Sequence, residues 1–358
     1  MSSEERTNLA AIVEGNRKIR LEHRDIPTLG TNDVLISISS VGICGSDLKY
    51  WAYGKCGRFS LNGKSMVIGH EAAGVVTSVG SGVKHLKIGD RVTIEPGVPC
   101  KSCEICQGGR YNLCKKMRFC ATPPVDGNLC TYYVHDADFC YKIPDNITTE
   151  EAAMLEPLSV AVYACERANI GLGQSIVIFG AGPIGILCGL VAKNSGASNI
   201  CIVDIDEGRL AFAKSLGAAN KTYLATLEAS KDPSKVADDI LEILGSDLGA
   251  HSSLECSGAD SSLATGIHVT RPGGSVILVG RGSLSPSIPI VLAATKEVDI
   301  KGVFRYANNY PQSISLVSSG AIDVSKLITH RFTLQESEKA FEAAADSRQR
   351  AIKVMINC

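Results

Sequence analysis

Residues 175–185 read SIVIFGAGPIG, an apolar run that leads directly into a Gly-x-Gly-x-x-Gly pattern. Gly180 permits a tight turn after a buried strand, Gly182 lets the backbone approach a pyrophosphate, and Gly185 lets a helix pack closely on the strand. The N-terminus of that helix offers free N–H groups and the positive end of its dipole to phosphates. The pattern therefore predicts a strand–turn–helix unit that binds a dinucleotide.

The next apolar run ends at Asp204, nineteen residues after Gly185. A carboxylate that binds the adenine ribose is expected at this spacing. The alternative is that Asp204 and Asp206 only cap the helix that follows, but the glycine pattern favours cofactor binding. Because a carboxylate at position 204 repels a 2′-phosphate, we expect NAD rather than NADP. Arg209 would favour NADP if it paired with that phosphate, but it could instead pack along the adenine.

Apolar runs alternate with segments of helical spacing from residue 158 onward. This alternation indicates a doubly wound α/β domain, with a parallel sheet that helices cover on both faces. We expect strands at 175–179, 199–203, 221–224, 253–256, 275–279 and 298–303, and helices at 207–216, 234–244 and 261–270.

The first third of the chain predicts a β-rich domain, because short β-branched segments such as 34–38 and 74–79 are punctuated by Gly and Pro. The tail is too short for a third domain, and it holds a predicted helix at 336–345 and a predicted strand at 351–356. We expect it to return to the β-rich domain. The predicted organisation is 1–157 for the first part of that domain, 158–299 for an inserted dinucleotide domain and 300–358 for the return.

Bulk properties exclude several function classes. The formal net charge of −1 is spread without a basic stripe, which argues against nucleic acid or a membrane surface as partners. Fourteen cysteines and an N-terminus without an apolar signal core predict a reduced, cytoplasmic chain that uses some thiols as metal ligands. Residues 175–192 carry no charge, but their glycines favour a strand, turn and buried helix over a membrane span.

Four cysteines on one short loop predict a closed metal site. Cys100, Cys103, Cys106 and Cys114 form a Cys-x2-Cys-x2-Cys-x7-Cys run, enough thiolates for a tetrahedral zinc shell. The alternative is that they are four buried, unligated thiols, but the spacing is tight and the flanking residues are polar. We therefore expect a structural zinc that leaves no place for substrate.

A second, open metal site is indicated by residues far apart in the chain. Cys44 and His70 could hold zinc with a carboxylate and leave a fourth position for a substrate oxygen. The carboxylate candidates are Glu71, beside His70, and Glu156, an acid between Leu155 and Pro157. Each could instead be an ordinary buried or salt-bridged residue, so the residues alone leave the ligand set open.

A family resemblance supports this open metal site. Residues 69–83, GHEAAGVVTSVGSGV, resemble the zinc signature of the medium-chain dehydrogenases, and the cysteine run and glycine pattern follow in that family's order. Within that family, the chain most resembles the polyol branch, the sorbitol (L-iditol 2-) dehydrogenases. It is carried by residues 41–47, 121–124, 155–160, 301–306 and 329–332.

The resemblance implies a β-rich GroES-like catalytic domain with an inserted Rossmann domain, and two zincs per chain. It implies that Cys44, His70 and Glu71 hold the catalytic zinc, with Glu156 reaching the metal directly or through water. Simple alcohol dehydrogenases of the family place a cysteine where Glu156 stands, so the chain resembles the polyol type. It departs from vertebrate-type relatives in keeping all four cysteines of the structural site.

Other site residues are also implied by the resemblance. Ser46 and Glu156 are candidate proton carriers. Substrate contacts are implied for Ser46, Tyr50, Phe119, Glu156, Arg305 and Tyr306. Cofactor contacts beyond those above are implied for Ile184, Val279, Gly280, Val303, Phe304 and Arg305.

These features predict a zinc- and NAD-dependent enzyme that reversibly oxidises C2 of a polyol, such as sorbitol, xylitol or L-iditol, to the ketose. A threonine- or glucose-type dehydrogenase of the same superfamily is the alternative within enzymes. A catalytically idle dinucleotide-binding protein is the alternative outside them. The resemblance also implies a homotetramer, with a homodimer as the alternative.

Overall fold

The computed structural model describes residues 7–358. The first six residues, on which the expectation about a signal segment rests, lie outside the described part. The chain divides into a split unit, Met1–Glu156 with Tyr310–Cys358, and an inserted unit, Pro157–Asn309. The sequence predicts that the return segment begins at residue 300, whereas in the structure it begins ten residues later, at Tyr310. The reason is that a strand at Asp299–Gly302 still pairs within the inserted unit's sheet.

The first part of the split unit is rich in short strands, as expected. Its strands are β1 (Asn8–Gly15), β2 (Lys18–Arg24), β3 (Asp33–Gly42), β4 (Lys55–Cys56), β5 (Phe59–Ser60), β6 (Met66–Val67), β7 (Glu71–Val79), β8 (Arg91–Ile94), β9 (Gly97–Val98), β10 (Arg118–Phe119), β11 (Tyr132–Asp136) and β12 (Cys140–Lys142). Its helices are α1 (Gly45–Tyr53), α2 (Glu104–Gln107) and α3 (Thr149–Ala153), and α4 (Leu155–Ala168) begins at its end.

The inserted unit alternates strands and helices. It contains β13 (Ser175–Phe179), α5 (Pro183–Asn194), β14 (Asn199–Asp204), α6 (Glu207–Ser215), β15 (Lys221–Leu224), α7 (Pro233–Leu244), β16 (Ala250–Glu255), α8 (Asp260–Val269), β17 (Thr270–Leu278), α9 (Ile290–Thr295) and β18 (Asp299–Gly302). The return segment then adds α10 (Tyr310–Ser318), β19 (Ile328–Thr333), α11 (Ser337–Ala345) and β20 (Lys353–Asn357).

A seven-stranded sheet organises the split unit, in the order β12-β8-β7-β3-β20-β19, with β11 also pairing β3. The antiparallel β3–β7 pair runs from Gly42↔Glu71 to Val34↔Val79. Its register therefore brings the C-terminal end of β3 to the N-terminal end of β7. The return strand β20 also pairs β3 in this region, at Gly42↔Met355, so residues from both ends of the chain meet there.

A six-stranded, wholly parallel sheet organises the inserted unit, in the order β15-β14-β13-β16-β17-β18. This is the 3-2-1-4-5-6 order of the Rossmann fold, which confirms the predicted fold class. The strand order reverses at β13, and a ligand binds such a sheet in the crevice beyond the carboxyl ends of the strands at that point. Gly180 follows β13 directly and so lies at this position.

The helix after the glycine pattern, α5, is uncharged until Lys193 and almost wholly buried. Gly182 precedes it and Pro183 occupies its first turn, where a missing N–H costs nothing. Within residues 7–358, no helix combines the length and apolar character that crossing a membrane requires.

Candidate active site

The facing ends of β3 and β7 bring three candidate metal ligands together. Cys44 follows β3 as the N-cap residue of α1, and His70 and Glu71 lie where β7 begins. One ligand atom from each of these three residues lies within 4.8 Å of the others. Gly42 leaves room for them, because a Cβ there would lie 2.2 Å from Oε2 of Glu71. A thiolate, an imidazole and a carboxylate at this spacing fit a zinc site with an open fourth position.

Asp47 is a site residue that the sequence analysis did not single out. Its Oδ1 lies 3.1 Å from Nδ1 of His70, and its Oδ2 accepts a hydrogen bond from the backbone N–H of Cys44 at 3.0 Å. A carboxylate on Nδ1 orients the imidazole and leaves Nε2 for a metal. The available signal was an acid three residues after Cys44, the position that completes a capping box at the start of α1.

The environment of His70 also bears on metal entry. Burial acts to lower the pKa of His70, but the charges of Asp47 and Cys44 outweigh burial and raise this pKa well above its usual value. The metal-free site therefore favours the protonated imidazole. A metal ligand has to be the neutral ring, so His70 would release its proton if zinc were bound here.

Lys353, from β20, was also missed by the sequence analysis. Its Nζ donates to both carboxylate oxygens of Glu71, at 2.8 and 2.6 Å, and to the carbonyl oxygen of Ile43 at 3.1 Å. The Lys353 and Glu71 side chains are 3% and 1% exposed. Burial opposes the charge on Lys353, but the charges of Glu71 and Cys44 keep its pKa above the usual value. Lys353 therefore ties the segment that carries Cys44 to the segment that carries Glu71.

The other site candidates in the split unit lie on neighbouring elements. Ser46 and Tyr50 both belong to α1, where Ser46 is half-buried and Tyr50 is buried. The ring of Phe119, the last residue of β10, has its centroid 5.8 Å from that of His70. Glu156 is buried in the first turn of α4 but lies outside the 4.8 Å ligand group. A role for Glu156 as a ligand stays a prediction.

The four-cysteine loop has the geometry of a tetrahedral thiolate site. Ligand atoms of Cys100, Cys103, Cys106 and Cys114 all lie within 4.8 Å of one another. The Sγ–Sγ distances are 3.4 Å for Cys103–Cys106 and 3.9 Å for Cys100–Cys106. Thiolates about 2.3 Å from a tetrahedral zinc lie about 3.8 Å apart, so the loop fits the metal. Backbone N–H groups of Ser102 and Cys103 lower the pKa of Cys100 to about 6, which favours the ligating thiolate.

The glycines of the inserted unit fit a bound pyrophosphate. Gly180 has a φ of +102°, and an added Cβ would lie 3.2 Å from the backbone nitrogen of Ser257. At Gly185 a Cβ would lie 1.8 Å from the carbonyl oxygen of Gly180, so only glycine permits this helix–strand approach. At Gly182 a Cβ would meet nothing within 4 Å. The space beside Gly182 is therefore open to a ligand, as the glycine pattern requires.

Asp204 and Asp206 have different roles in the structure. Asp206 caps α6 by accepting a hydrogen bond from the N–H of Arg209. Asp204 instead accepts from the N–H of Ala181 at 2.6 Å and from the N–H of Asp206 at 2.9 Å. The carboxylate at the end of β14 is thus fixed beside the glycine turn and does not cap α6, which removes the alternative considered for Asp204.

The remaining candidates of the inserted unit fall into two groups. Ile184 lies in the first turn of α5, while Val279 and Gly280 follow β17 and donate their N–H groups to the carbonyl oxygen of Glu255. The other group follows β18. There the N–H of Val303 donates to the carbonyl oxygen of Leu278, the Arg305 guanidinium lies 4.8 Å from the centroid of the Phe304 ring, and Tyr306 is buried.

Comparison with known proteins identifies the family. The model of the alcohol dehydrogenase GroES-like domain matches residues 30–145, and that of the zinc-binding dehydrogenases matches residues 183–319. Sorbitol dehydrogenase of Rattus norvegicus is 51% identical over 98% of this chain and 96% of that protein. The chain belongs to the zinc-containing medium-chain dehydrogenases, in their sorbitol dehydrogenase branch.

Further matches agree with this family. Sorbitol dehydrogenase of Homo sapiens is 48% identical over 98% of this chain and 96% of that protein. The solved structure of L-idonate 5-dehydrogenase from Escherichia coli superposes with a TM-score of 0.88 at 29% identity, covering 99% of each chain. As the sequence predicts, the chain is an oxidoreductase that uses NAD and zinc.

Proposed function

We propose that this chain reversibly oxidises the C2 hydroxyl of a polyol, such as sorbitol, xylitol or L-iditol, to the corresponding ketose. The observation that carries the proposal is the group formed by Cys44, His70 and Glu71, found in a member of the sorbitol dehydrogenase branch. The glycine turn of the inserted unit supplies the second requirement, a site for NAD.

We assign the catalytic zinc to Cys44, His70 and Glu71, with Glu156 completing the site directly or through water. Zinc supplies Lewis-acid chemistry there, which lowers the pKa of an alcohol or water by many units. Asp47 orients His70, and Lys353 fixes the Glu71 carboxylate. Ser46 and Glu156 are the proposed proton carriers, because a positioned hydroxyl and carboxylate can pass the substrate proton onward.

The structural zinc is assigned to Cys100, Cys103, Cys106 and Cys114. Four thiolates fill a tetrahedral shell, so this metal can fix the loop but cannot bind substrate. Elemental analysis of the purified chain is expected to give two zincs per chain. A value of one or none would contradict the two-site assignment.

We assign the NAD site to the glycine turn and to Asp204. Gly180, Gly182 and Gly185 form the pyrophosphate cradle, and the N-terminus of α5 faces the phosphates. The fixed carboxylate of Asp204 disfavours a 2′-phosphate. Ile184, Arg209, Val279, Gly280, Val303, Phe304 and Arg305 complete the proposed cofactor contacts.

Substrate recognition is assigned to Tyr50, Phe119, Glu156, Arg305 and Tyr306. A polyol carries several hydroxyl groups, and polar side chains that hydrogen-bond them discriminate against simple alcohols that leave those groups unpaired. Phe119, which packs beside His70, would instead border the carbon chain.

We further propose that the chain assembles as a homotetramer, with a homodimer as the alternative, and works in the cytoplasm. The edge strand β18 is unpaired on one side within the described sheet, and Leu284, Ile290 and Val291 are exposed apolar residues of the same unit. Exposed apolar surface of this kind supports association. All fourteen cysteines are free thiols, which supports a reducing compartment. Light scattering of the purified chain tests the assembly.

The substrate proposal is tested by kcat/KM on a panel of sorbitol, xylitol, L-iditol, glucose, threonine and ethanol with NAD. We expect the three polyols to lead the panel. A higher kcat/KM for threonine, glucose or ethanol would overturn the polyol assignment while leaving the dehydrogenase family intact.

A further inference from the structure

One acid lies in the row of paired residues at the carboxyl end of the inserted unit's sheet. Phe179 of β13 pairs with Val203 of β14 on one side and with Glu255 of β16 on the other. Glu255 pairs in turn with Leu278 of β17, which pairs with Gly302 of β18. Glu255 is the charged member of this row and is only 3% exposed. A parallel sheet of this kind binds its ligand beyond this edge, so a buried acid here calls for an explanation.

One oxygen of the Glu255 carboxylate is occupied by the loop that follows β16. Oε1 accepts hydrogen bonds from the backbone N–H groups of Ser257 and Gly258, both at 2.7 Å, and from the Ser257 hydroxyl at 2.5 Å. The backbone carbonyl oxygen of Glu255 accepts from the N–H groups of Val279 and Gly280, at 2.9 and 2.7 Å. Glu255 therefore connects the loops after β16 and β17, and the second loop carries two of the proposed cofactor contacts.

The other carboxylate oxygen, Oε2, has different surroundings. It accepts no hydrogen bond from any residue in the range 7–358. It is not fully enclosed either, unlike the unpartnered Nδ2 and Oδ1 atoms of Asn128. It lies beside Gly280, where an added Cβ would be 2.7 Å from Oε2 and 2.5 Å from the backbone nitrogen of Gly258. Oε2 is therefore an acceptor that remains free for a ligand.

The charge of Glu255 also lacks compensation by the protein. No lysine or arginine nitrogen in the described part of the chain lies within 4.0 Å of its carboxylate oxygens. Glu71, the buried acid of the split unit, is in contrast paired with Lys353. A buried carboxylate without a cationic partner costs free energy, and a cation that binds beside it offsets that cost. The surroundings of Glu255 thus favour a positively charged ligand.

The fold places Glu255 on the nicotinamide side of the cofactor crevice. A Rossmann domain consists of two mononucleotide-binding halves that meet where the strand order reverses. Asp204, at the end of β14, belongs to the half that binds the adenosine. Glu255 ends β16, on the opposite side of β13, and so belongs to the half that binds the nicotinamide nucleotide. The nicotinamide ring is a cation in NAD⁺ and is neutral in NADH.

We propose that Glu255 is a specificity-determining residue for the redox state of the cofactor, because its carboxylate attracts the cationic nicotinamide ring of NAD⁺ and not the neutral ring of NADH. It strengthens the binding of the oxidised cofactor before the reaction. Once a hydride from the substrate has neutralised the ring, the attraction is lost and NADH is released more readily. This inference rests on the proposed NAD site of the chain and not on the identity of the polyol.

The central test compares the affinities of NAD⁺ and NADH for the zinc-loaded wild type and for Glu255→Gln, without polyol. Glutamine keeps the length of the side chain and an oxygen for the N–H groups of the loop, but it removes the charge. Because a charge–charge attraction is lost, we expect the Kd of NAD⁺ to rise by about tenfold and that of NADH to stay within about twofold. Calorimetry measures the first value and NADH fluorescence the second.

Two control variants separate the charge from the structure of the loop. Ser257→Ala removes one donor to Oε1 and keeps the carboxylate, so it should change the affinities of NAD⁺ and NADH by the same factor. Asp239→Asn removes an acid of α7 that accepts a hydrogen bond from the Tyr223 hydroxyl at 2.8 Å. It lowers the total charge as Glu255→Gln does, and it should leave both affinities unchanged.

A further measurement uses wild type alone, in case Glu255→Gln does not retain two zincs. The probe is an NAD analogue in which a neutral benzamide ring replaces the cationic nicotinamide ring. It should bind about tenfold more weakly than NAD⁺, because it has the planar shape of the ring without its charge. Equal affinities for the analogue and NAD⁺ would overturn the inference.

Equal weakening of NAD⁺ and NADH binding in Glu255→Gln would show that Glu255 only supports its loop, and would overturn the inference. Unchanged affinities for both would overturn it as well. Wild type that binds neither NAD⁺ nor NADH would instead refute the proposed NAD site. Wild type that binds both but oxidises no polyol would refute the polyol assignment alone, so these failures are distinguishable.

Discussion

Lys353 shows how strongly one buried residue can constrain a metal site. Two of its hydrogen bonds go to the candidate ligand Glu71, and a third goes to the carbonyl oxygen of Ile43, the residue before Cys44. A buried ion pair gains little over an apolar pair, but removing one partner leaves an uncompensated charge in the interior. Lys353 therefore serves mainly to make a buried Glu71 carboxylate tolerable.

We expect Lys353→Met to destabilise the metal-free protein by about 3–5 kcal/mol, because Glu71 loses its counter-charge. Urea unfolding of the chelated protein measures this. Lys231→Met is the control, since Lys231 and its partner Glu228 are 72% and 83% exposed and such a pair contributes about 0–1 kcal/mol. Adding Glu71→Gln should restore much of the loss. Equal losses of unfolding free energy in the two lysine variants would show that the buried pair contributes no more than the exposed one.

Asp47 makes a residue-scale prediction about metal affinity. Asp47→Asn keeps the shape of the side chain but removes the negative charge that orients His70. We expect zinc affinity at the Cys44–His70–Glu71 site to fall by about 10- to 100-fold, the usual effect of losing such a partner. Competition with a chromophoric chelator measures it, and zinc in the four-cysteine loop is the internal reference. An unchanged zinc affinity would contradict the role of Asp47 in orienting His70.

At the scale of elements, the sequence predicts apolar strands well and their polar ends poorly. Strands β13 and β15 match the expected bounds, but β16 begins at Ala250 rather than 253 and β17 at Thr270 rather than 275. The added residues, 250–252 and 270–274, are a mixture of polar, glycine, proline and alanine residues, so they do not extend the apolar runs. Two of the added residues, Ser252 and Thr270, are buried, and their hydroxyls pair with those of neighbouring strand residues: Ser252 with Ser275 at 3.0 Å, and Thr270 with Ser253 at 2.8 Å.

The β13–α5 turn predicts opposite outcomes for two glycine substitutions. Gly182→Ala should leave folding and zinc content unchanged, because its Cβ enters open space, but it should raise the KM for NAD by about tenfold or more by blocking the pyrophosphate. Gly185→Ala should instead destabilise the inserted unit, because its Cβ collides with the carbonyl of Gly180. Thermal unfolding and NAD kinetics separate the two effects. Similar behaviour of both variants would contradict the assigned roles.

At the scale of the whole molecule, the sequence shows which chemical groups are available, and the fold shows which of them meet. The glycine pattern and the cysteine run are local, so their spacing alone predicts the dinucleotide site and the four-cysteine metal site. Lys353 and Glu71 are 282 positions apart, and nothing in either local sequence indicates the pair. The hydrogen bond that the Tyr111 hydroxyl donates to Oε1 of Glu95, at 2.7 Å, is not predictable from local sequence either, because it depends on how the four-cysteine loop folds back.

The free energy of unfolding should depend on pH through Glu95, a buried acid that directly follows β8. Its pKa is about 7 in the folded chain and near 4.5 without burial, so the folded state holds an extra proton between these values. Stability from this group is therefore complete below pH 4.5 and is lost as pH rises to 7, by about 3 kcal/mol. His135 opposes this in wild type, because burial lowers its pKa to about 4.

The contribution of Glu95 is isolated by comparing wild type with Glu95→Gln, since His135 is common to both. The unfolding free energy of wild type relative to Glu95→Gln should fall by about 3 kcal/mol from pH 4.5 to pH 8. Urea unfolding at both pH values measures the difference. A pH-independent difference would mean that Glu95 titrates normally.

The split of one unit across the chain has a consequence for synthesis. A ribosome that adds about 5–20 residues per second needs roughly 15–55 s to go from Glu71 to Lys353. During this interval the nascent chain carries the acid and candidate ligands of the open site without the cation that lets the acid be buried. The inserted unit can complete its fold first, and the catalytic zinc site reaches its final form only after the last strand leaves the ribosome.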